Sequence, residues 1–346
     1  MPKKQSPLSS TGRPTILQLA KLTGFSQGAV SRAINGQGGI SDPTRERILK
    51  AAREIGYVAN PSARNFKRGY TKRIGMLLPD LANANYSELY ENLDLVASDD
   101  DYSSLLALTH HCGERERNLL LKLSAGEVDG LIVNPVQQFE NLDTYRKIKS
   151  WKFPLVFLYR GYEDEFDSLG VDYATSLRKA VGYLRDVGHR RVAYAGPNSS
   201  AKEPVGKLLS LMEILDELGM EYDRELSVLE VQADLAGPEA FEKWVSRGKR
   251  PTAVVAFNDQ TAISIHTEAR RLGLTIPRDL SILGSDDISS AEPLEISTLR
   301  VDRAAMAKAA FKLLENRIKH FESPIRQQSL SSEFILRSSM GPCQKS

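Results

Sequence analysis

Residues 15–36 read Thr-Ile-Leu-Gln-Leu-Ala-Lys-Leu-Thr-Gly-Phe-Ser-Gln-Gly-Ala-Val-Ser-Arg-Ala-Ile-Asn-Gly, and this pattern leaves few folds open. Its spacing predicts a helix, a tight turn and a second helix. Thr15 and Gln18 stand at capping-box spacing, the hydroxyl reaching the third amide and the side-chain amide reaching back to the cap. Ile16, Leu19, Ala20 and Leu22 fall on one helical face. Gly24 permits the turn, and Phe25 fills the space between the helices. Ser26 caps the second helix, which turns Ala29, Val30, Ala33 and Ile34 inward and leaves Gln27, Ser31, Arg32 and Asn35 pointing out. A third helix begins at Asp42-Pro43, a cap followed by proline at the first helical position. Ile48, Leu49, Ala52 and Ile55 repeat along it, and Gly56 stops it.

A short polar helix packed across another fits the major groove of DNA, yet a helical hairpin inside an enzyme could share the pattern. The charge distribution favours the first reading. Residues 1–73 carry 14 Lys+Arg against 3 Asp+Glu, which leaves 32 basic and 41 acidic residues in the rest of the chain. The net charge of +2 thus combines a strongly basic head with an acidic body. Polyphosphate is the natural partner of such a head. The stretch Asn60 to Gly69 continues it, with a helix start, a glycine stop, three cations and one large apolar residue, Phe66.

After Arg73 the texture changes. Short apolar runs at 74–78, 104–108, 130–133 and 155–158 alternate with helical stretches, and a second set follows at 192–195, 228–231, 253–257 and 280–283. This pattern predicts two βαβ sheets in tandem, each of parallel strands with helices on both faces. At 346 residues the chain exceeds the usual size of one core. Ligands of such folds sit beyond the carboxyl ends of the strands. That rule picks out Asp80, Asn134, Arg160, Asp172, Asn258, Asp259 and Asp286, with Asn85 and Tyr86 just after the first strand. Amides, carboxylates and a guanidinium around an aromatic platform suit a polyhydroxylated ligand. Asp and Asn at strand ends also simply cap the next helix, a reading favoured for Asp259.

No run reaches the ~18 apolar residues of a membrane span. Residues 1–12 read as a disordered tail and not as a secretory signal. Cys112 and Cys343 make no disulfide framework and suit a reducing cytoplasm. Neither has metal-ligand company. There is no phosphate-cradling glycine loop and no nucleophile elbow. The five histidines, among them the pair His110-His111, show no metal spacing. His110-His111 lies at a strand end, where a solvated loop is favoured over ligand contact. No catalytic residue, metal or cofactor is expected.

Taken together, Thr15-Ile16, Leu19-Ala20, Gly24-Phe25-Ser26, Val30-Ser31-Arg32, Asn35-Gly36, Gly56-Tyr57, Asn60-Pro61, Ala63-Arg64 and Thr71 through Gly75 resemble the headpiece and hinge of the LacI/GalR family of bacterial transcriptional regulators, of lac and purine repressor type. Val128 through Ile132, Gly188-His189, Pro251-Thr252-Ala253, Asn258-Asp259, Gly273-Leu274, Ile276-Pro277 and Leu283-Gly284 extend the resemblance through nearly the whole chain. It implies an all-α helix-turn-helix headpiece at 13–59, a hinge helix and linker at 60–72, and an α/β effector-binding and dimerisation domain at 73–340. That domain has a two-lobed, periplasmic-binding-protein-like (type I) fold with parallel sheets. The first lobe takes 73–172 and 303–325, the second 173–302 and 326–340, with crossings near Asp172, Arg300–Asp302 and residue 325.

The expected DNA contacts are Thr15, Gln27, Gly28, Ala29, Ser31, Arg32 and Asn35 in the head and Ser62, Arg64, Phe66 and Lys67 in the hinge. The expected effector contacts are Asp80, Asn85, Tyr86, Asn134, Arg160, Lys207, Asn258, Asp259 and Asp286. The chain departs from its relatives where Lys207 replaces an arginine that grips ligand, where Tyr159 replaces the usual aspartate after the fourth strand, and where Gly28 replaces a base-reading side chain. Lys cannot make the bidentate fork. The implied function is that of a cytoplasmic, homodimeric regulator, a repressor of carbohydrate genes. It binds pseudo-palindromic double-stranded operator DNA and responds to a sugar, sugar acid or polyol. A solute-binding protein or a sugar-active enzyme with an added helical domain is the alternative.

Overall fold

The computed structural model describes residues 14–57, 70–136, 141–159, 165–197, 206–229 and 235–342. The chain divides into two compact units, Met1–Thr71 and Lys72–Ser346.

In the first unit, α1 (Ile16–Thr23), α2 (Gln27–Ile34) and α3 (Asp42–Glu54) enclose one small core of Leu19, Ala20, Val30, Ala33, Ile48 and Ala52. The capping box forms: Gln18 N–H donates to Thr15 Oγ1 at 3.3 Å, and Thr15 N–H donates to Gln18 Oε1 at 2.8 Å. Gly24 ends α1 in the left-handed region at φ 78°. Ser26 caps α2 by accepting from Ala29 N–H at 3.2 Å. Two details differ from the sequence reading. Leu22 is 50% exposed; the inward slot goes to Thr23, which hides its hydroxyl by donating to Leu19 O at 2.7 Å. Ser41, not Asp42, is the N-cap of α3, which shifts Pro43 one position inward.

The second unit holds two lobes. The first has an all-parallel sheet in the order β12-β5-β4-β3-β1-β2, built from β1 (Arg73–Leu78), β2 (Ser103–Leu108), β3 (Leu131–Val133), β4 (Leu155–Leu158), β5 (Asp167–Asp172) and β12 (Gln327–Ser331). On one face, α4 (Ala84–Asp99) and α11 (Arg303–Lys319) cover Ile74, Met76, Ile132 and Val156 with Leu89, Leu93, Met306 and Phe311. On the other, α5 (Gly113–Ser124) and α6 (Leu142–Ser150) cover Leu77, Leu131 and Phe157 with Leu120, Leu123, Tyr145 and Ile148.

The second lobe centres on β6 (Arg191–Gly196), β9 (Ala253–Ala256) and β10 (Ser281–Leu283), with the short β7 (Glu221–Tyr222) and β8 (Val228–Leu229) beside β6. Helices α7 (Ala174–Asp186) and α8 (Gly206–Glu217) cover one face, and α9 (Ala236–Ser246) and α10 (Asp259–Arg271) the other. A Cβ on Gly237 would lie 2.2 Å from the Ser264 carbonyl, so α9 and α10 approach closely only because that position is glycine.

The third crossing differs from expectation. Residues 327–331 pair with β5 in the first lobe, and the chain passes to β13 (Glu333–Ile335), antiparallel to β11 (Thr298–Arg300), at Ser332 instead of near 325. Gln327-Gln328-Ser329 is too polar to read as a strand, but an edge position needs no apolar run. Ser332 donates through N and Oγ to Asp172 O at 3.0 and 2.9 Å, which ties the first and third crossings together.

Candidate functional site

Two places gather the residues singled out above. On the head, Gln27, Gly28 and Arg32 lie exposed along α2. Arg32 Nε donates to Gly28 O at 3.4 Å, so the guanidinium lies along the open face. Ser31 and Asn35 are half-buried and bonded to each other, Asn35 Nδ2 lying 2.8 Å from Ser31 O and 3.3 Å from its Oγ. Ala29 is half-buried. Thr15 is exposed, with its hydroxyl committed to the cap. Ser62, Arg64, Phe66 and Lys67 lie outside the described residues.

The second place is the region between the lobes at the carboxyl ends of the strands. Tyr86, at the start of α4, meets Tyr159 edge-on with ring centroids 6.4 Å apart. Asn85 Nδ2 donates to the Tyr159 hydroxyl at 2.9 Å. Asn85 is only 4% exposed, and its Oδ1 has no donor among the described residues. A buried acceptor left unmet costs about 1–3 kcal/mol. Asn134 hydrogen-bonds the Tyr86 hydroxyl, which burial and the charge of Asp286 nonetheless push up to about 12.

From the second lobe comes Asp286, 6% exposed and held at φ 108° just after β10. Burial pushes its carboxyl up to about 6, against the pull of Lys207 and then Arg303. Lys207, in the first turn of α8, donates to Phe257 O at 2.7 Å and Ser285 Oγ at 2.8 Å. Its Nζ also faces the rings of Tyr173 and Phe257, 4.2 and 4.8 Å from their centroids. Burial lowers the Lys207 ammonium, while the charges of Asp286 and Asp259 oppose that shift.

The structure separates the other expected contacts. Asn258 caps α10, its Oδ1 accepting from Thr261 N–H at 2.9 Å. Asp259 is fully buried and does not reach the cleft: it accepts from Thr298 Oγ1 at 2.7 Å and from Ile288 N–H at 3.0 Å. Its carboxylate thus binds the loop after β10 to β11, and Gly284 leaves room for it, since a Cβ there would sit 2.1 Å from Asp259 Oδ1. Asp80 accepts from Asn83 N–H at 3.1 Å and pairs with His111 at 2.9 Å, which gives that histidine a partner that spacing alone does not reveal. Arg160 lies outside the described residues.

Residues that sequence reasoning left out complete the region. Tyr173, just after β5, hydrogen-bonds Ser285, just after β10, and both meet Lys207. Arg303 binds the lobes: it donates to the carbonyls of Asp286 and Asp287 and pairs at 2.7 Å with Glu88 of α4. Glu88 also accepts from Ser289 N–H at 3.1 Å. Asp286 and Asp287 both adopt positive φ, and the carbonyls of both meet Arg303, an arrangement that residue types alone do not signal.

A three-helix unit with one open polar helix face, joined to a two-lobed body with polar and aromatic residues where its strands end, defines a DNA-binding regulator with a ligand-binding body. The comparisons agree. Residues 15–60 match the family described as bacterial regulatory proteins, lacI family, and residues 181–340 match the periplasmic binding protein-like domain. The chain thus combines a lacI-family helix-turn-helix domain with a periplasmic-binding-protein-like domain. It is 28% identical over 328 residues to the transcriptional repressor PurR of Vibrio vulnificus, covering 93% of this chain and 97% of that one. To the repressor CytR of Escherichia coli K12 it is 27% identical over 331 residues, covering 94% and 96%. These relatives are transcriptional regulators, not enzymes. The fold is that of the lac repressor dimer bound to operator and the anti-inducer ONPF, with TM-score 0.82, 21% identity and coverage of 95% and 100%. It also resembles the regulator CelR in complex with cellobiose, with TM-score 0.69, 24% identity and coverage of 94% and 100%. No described helix is long and apolar enough to cross a membrane.

Proposed function

We propose that this chain is a homodimeric, cytoplasmic repressor that binds a pseudo-palindromic operator through α2 of each head and responds to a sugar-like effector held between its lobes. Repression of carbohydrate uptake or catabolism genes is the corresponding role. One observation carries the reading: a capped helix with Gln27, Gly28 and Arg32 exposed stands on a basic unit separate from the body. The body contributes pairing and ligand; the head and the basic stretch 60–72 contribute DNA affinity. A ligand that favours one lobe arrangement biases DNA binding through that difference alone.

The test uses operator DNA selected from genomic fragments by the full chain. A chain lacking residues 1–69 should remain a folded dimer by sedimentation and should no longer retard that DNA. Retained operator binding by the shortened chain refutes the assignment. Asp286→Ala should bind operator like the parent yet lose its response to ligand.

A further inference from the structure

Glu116, in the first turn of α5, is only 1% exposed. Both of its oxygens are taken by neutral donors. Val136 N–H donates to Oε2 at 2.6 Å, and Asn141 Nδ2 donates to Oε1 at 2.8 Å. Burying a carboxylate is costly, and its place at the start of a helix offsets only part of that cost. Two donors on two oxygens need a carboxylate, for an amide would bring hydrogens of its own to one of them.

What Glu116 holds is both ends of one loop. Residues 134–141 join β3 to α6, with Val136 near the start and Asn141 at the end. Asn141 also donates to Gly113 O at 2.8 Å. The first residue of this loop is Asn134. Its N–H donates to Leu77 O at 2.9 Å, and its side chain hydrogen-bonds the Tyr86 hydroxyl. Only Pro135 separates it from Val136. The backbone is therefore pinned by β1 before Asn134 and by Glu116 after Pro135, and the proline restricts what freedom is left. Fixing that short span fixes the direction of the Asn134 side chain. α5 and α4 cover opposite faces of the sheet, so Glu116 acts on Tyr86 from behind the strand ends.

We infer that Glu116 is a positioning residue of the cleft: through Val136 it aims Asn134 at the Tyr86 hydroxyl from a place that no ligand touches. The meaning of this link for regulation rests on the reading of the cleft as the effector site.

The experiment follows the full chain without ligand, by amide hydrogen exchange and by NMR of protein isotope-labelled at tyrosine Cζ. Tyr86→Phe assigns the Tyr86 signal. Glu116→Gln should raise exchange at the Val136 amide by about tenfold or more. It should also move the Tyr86 signal toward its position in Asn134→Ala. Added to Asn134→Ala, the same change should move Tyr86 no further. Asn141→Ala spares the Val136 bond and should leave Tyr86 where the parent has it. If Glu116→Gln does not fold, Glu116→Asp takes its place with the same expectation, since it keeps the charge but is too short to reach both donors. Unchanged exchange at Val136 overturns the inference. So does a loosened Val136 with Tyr86 unmoved, which would make Glu116 a structural tie only. A Tyr86 shift that persists without Asn134 overturns it as well. The cleft reading fails separately: an Asp286→Ala chain that keeps its full ligand response would remove the effector site and leave the link from Glu116 to Tyr86 intact.

Discussion

Gly28 occupies the second position of α2, where among the described residues outside the helix's own backbone a Cβ would meet only Ser26 Oγ, at 4.0 Å. Its backbone is ordinary helix, so nothing in the head requires glycine there. A glycine inside a helix costs about 0.5–1 kcal/mol relative to alanine. Gly28→Ala should therefore stabilise the head by about that amount in urea denaturation. A loss of stability would show that the site is more crowded than described. The open position also implies that each half-site tolerates variation at the base pair facing Gly28. At Asp259 the effect runs with pH. Burial, then the charge of Asp286, push its carboxyl from 3.8 up to about 7, against the pull of Thr298 and Ile288. The folded state binds this proton more tightly than the unfolded one. Its stabilising contribution is therefore present at low pH and lost as pH rises from about 4 to 7. Asp259→Asn removes that loss. Relative to the parent, its stability should rise by on the order of 2 kcal/mol between about pH 4.5 and pH 8. A flat difference between the two proteins across that range would contradict the assignment.

At the scale of elements, the sequence was most informative where local chemistry decides structure. The capping box at Thr15 and Gln18, the turn at Gly24 and the apolar runs of β1, β4, β6 and β9 were all legible. Strands lacking an apolar run were not: β12 is polar because it lies at an edge, and β11 and β13 pair at the crossings. In the cleft, residue types at strand ends located Tyr86, Asn85 and Asp286. They favoured a cap at Asp259, whereas the cap is Asn258 and Asp259 is a buried tie, because a cap and a ligand contact use the same side chains. Nor did they reveal that Lys207 is engaged by Phe257 O and Ser285, which depends on how three elements converge. The basic segment 60–67 gives one prediction from chemistry alone, since it lies outside the described residues. A single large apolar residue, Phe66, amid cations suits a wedge that enters the minor groove and kinks a flexible pyrimidine–purine step. Phe66→Ala should lose specific affinity and DNA bending together in circular-permutation gels, while salt-sensitive nonspecific binding persists. Bending equal to that of the parent would make Phe66 a linker anchor instead.

Across the whole body, the bond network from Glu88 through Arg303 to the Asp286–Ser289 loop joins the first lobe to the part of the second that carries Asp286. Both ionic side chains are mostly buried, at 23% and 15% exposure, so this pair is worth more than a surface one. Glu88→Ala should raise hydrogen exchange at the Ser289 amide by about 10- to 100-fold. The amide of Ile282, bonded to Ser339 O, should stay as protected as before. Equal exchange at Ser289 in both proteins would mean that the lobes are held by something else. The bond between Asp172 and Ser332 spans 160 residues of chain, and this bears on how the protein is made. β1 to β5 leave the ribosome early, but their covering helix α11 and edge strand β12 follow only after the second lobe's sheet. The lobe begun first is thus closed only near the end of the chain, with β13 of the second lobe alone to follow. Until translation is nearly over, Ile74, Met76 and Val156 have the cover of α4 but not of α11, and a nascent chain in that state exposes apolar sheet that can find the wrong partner.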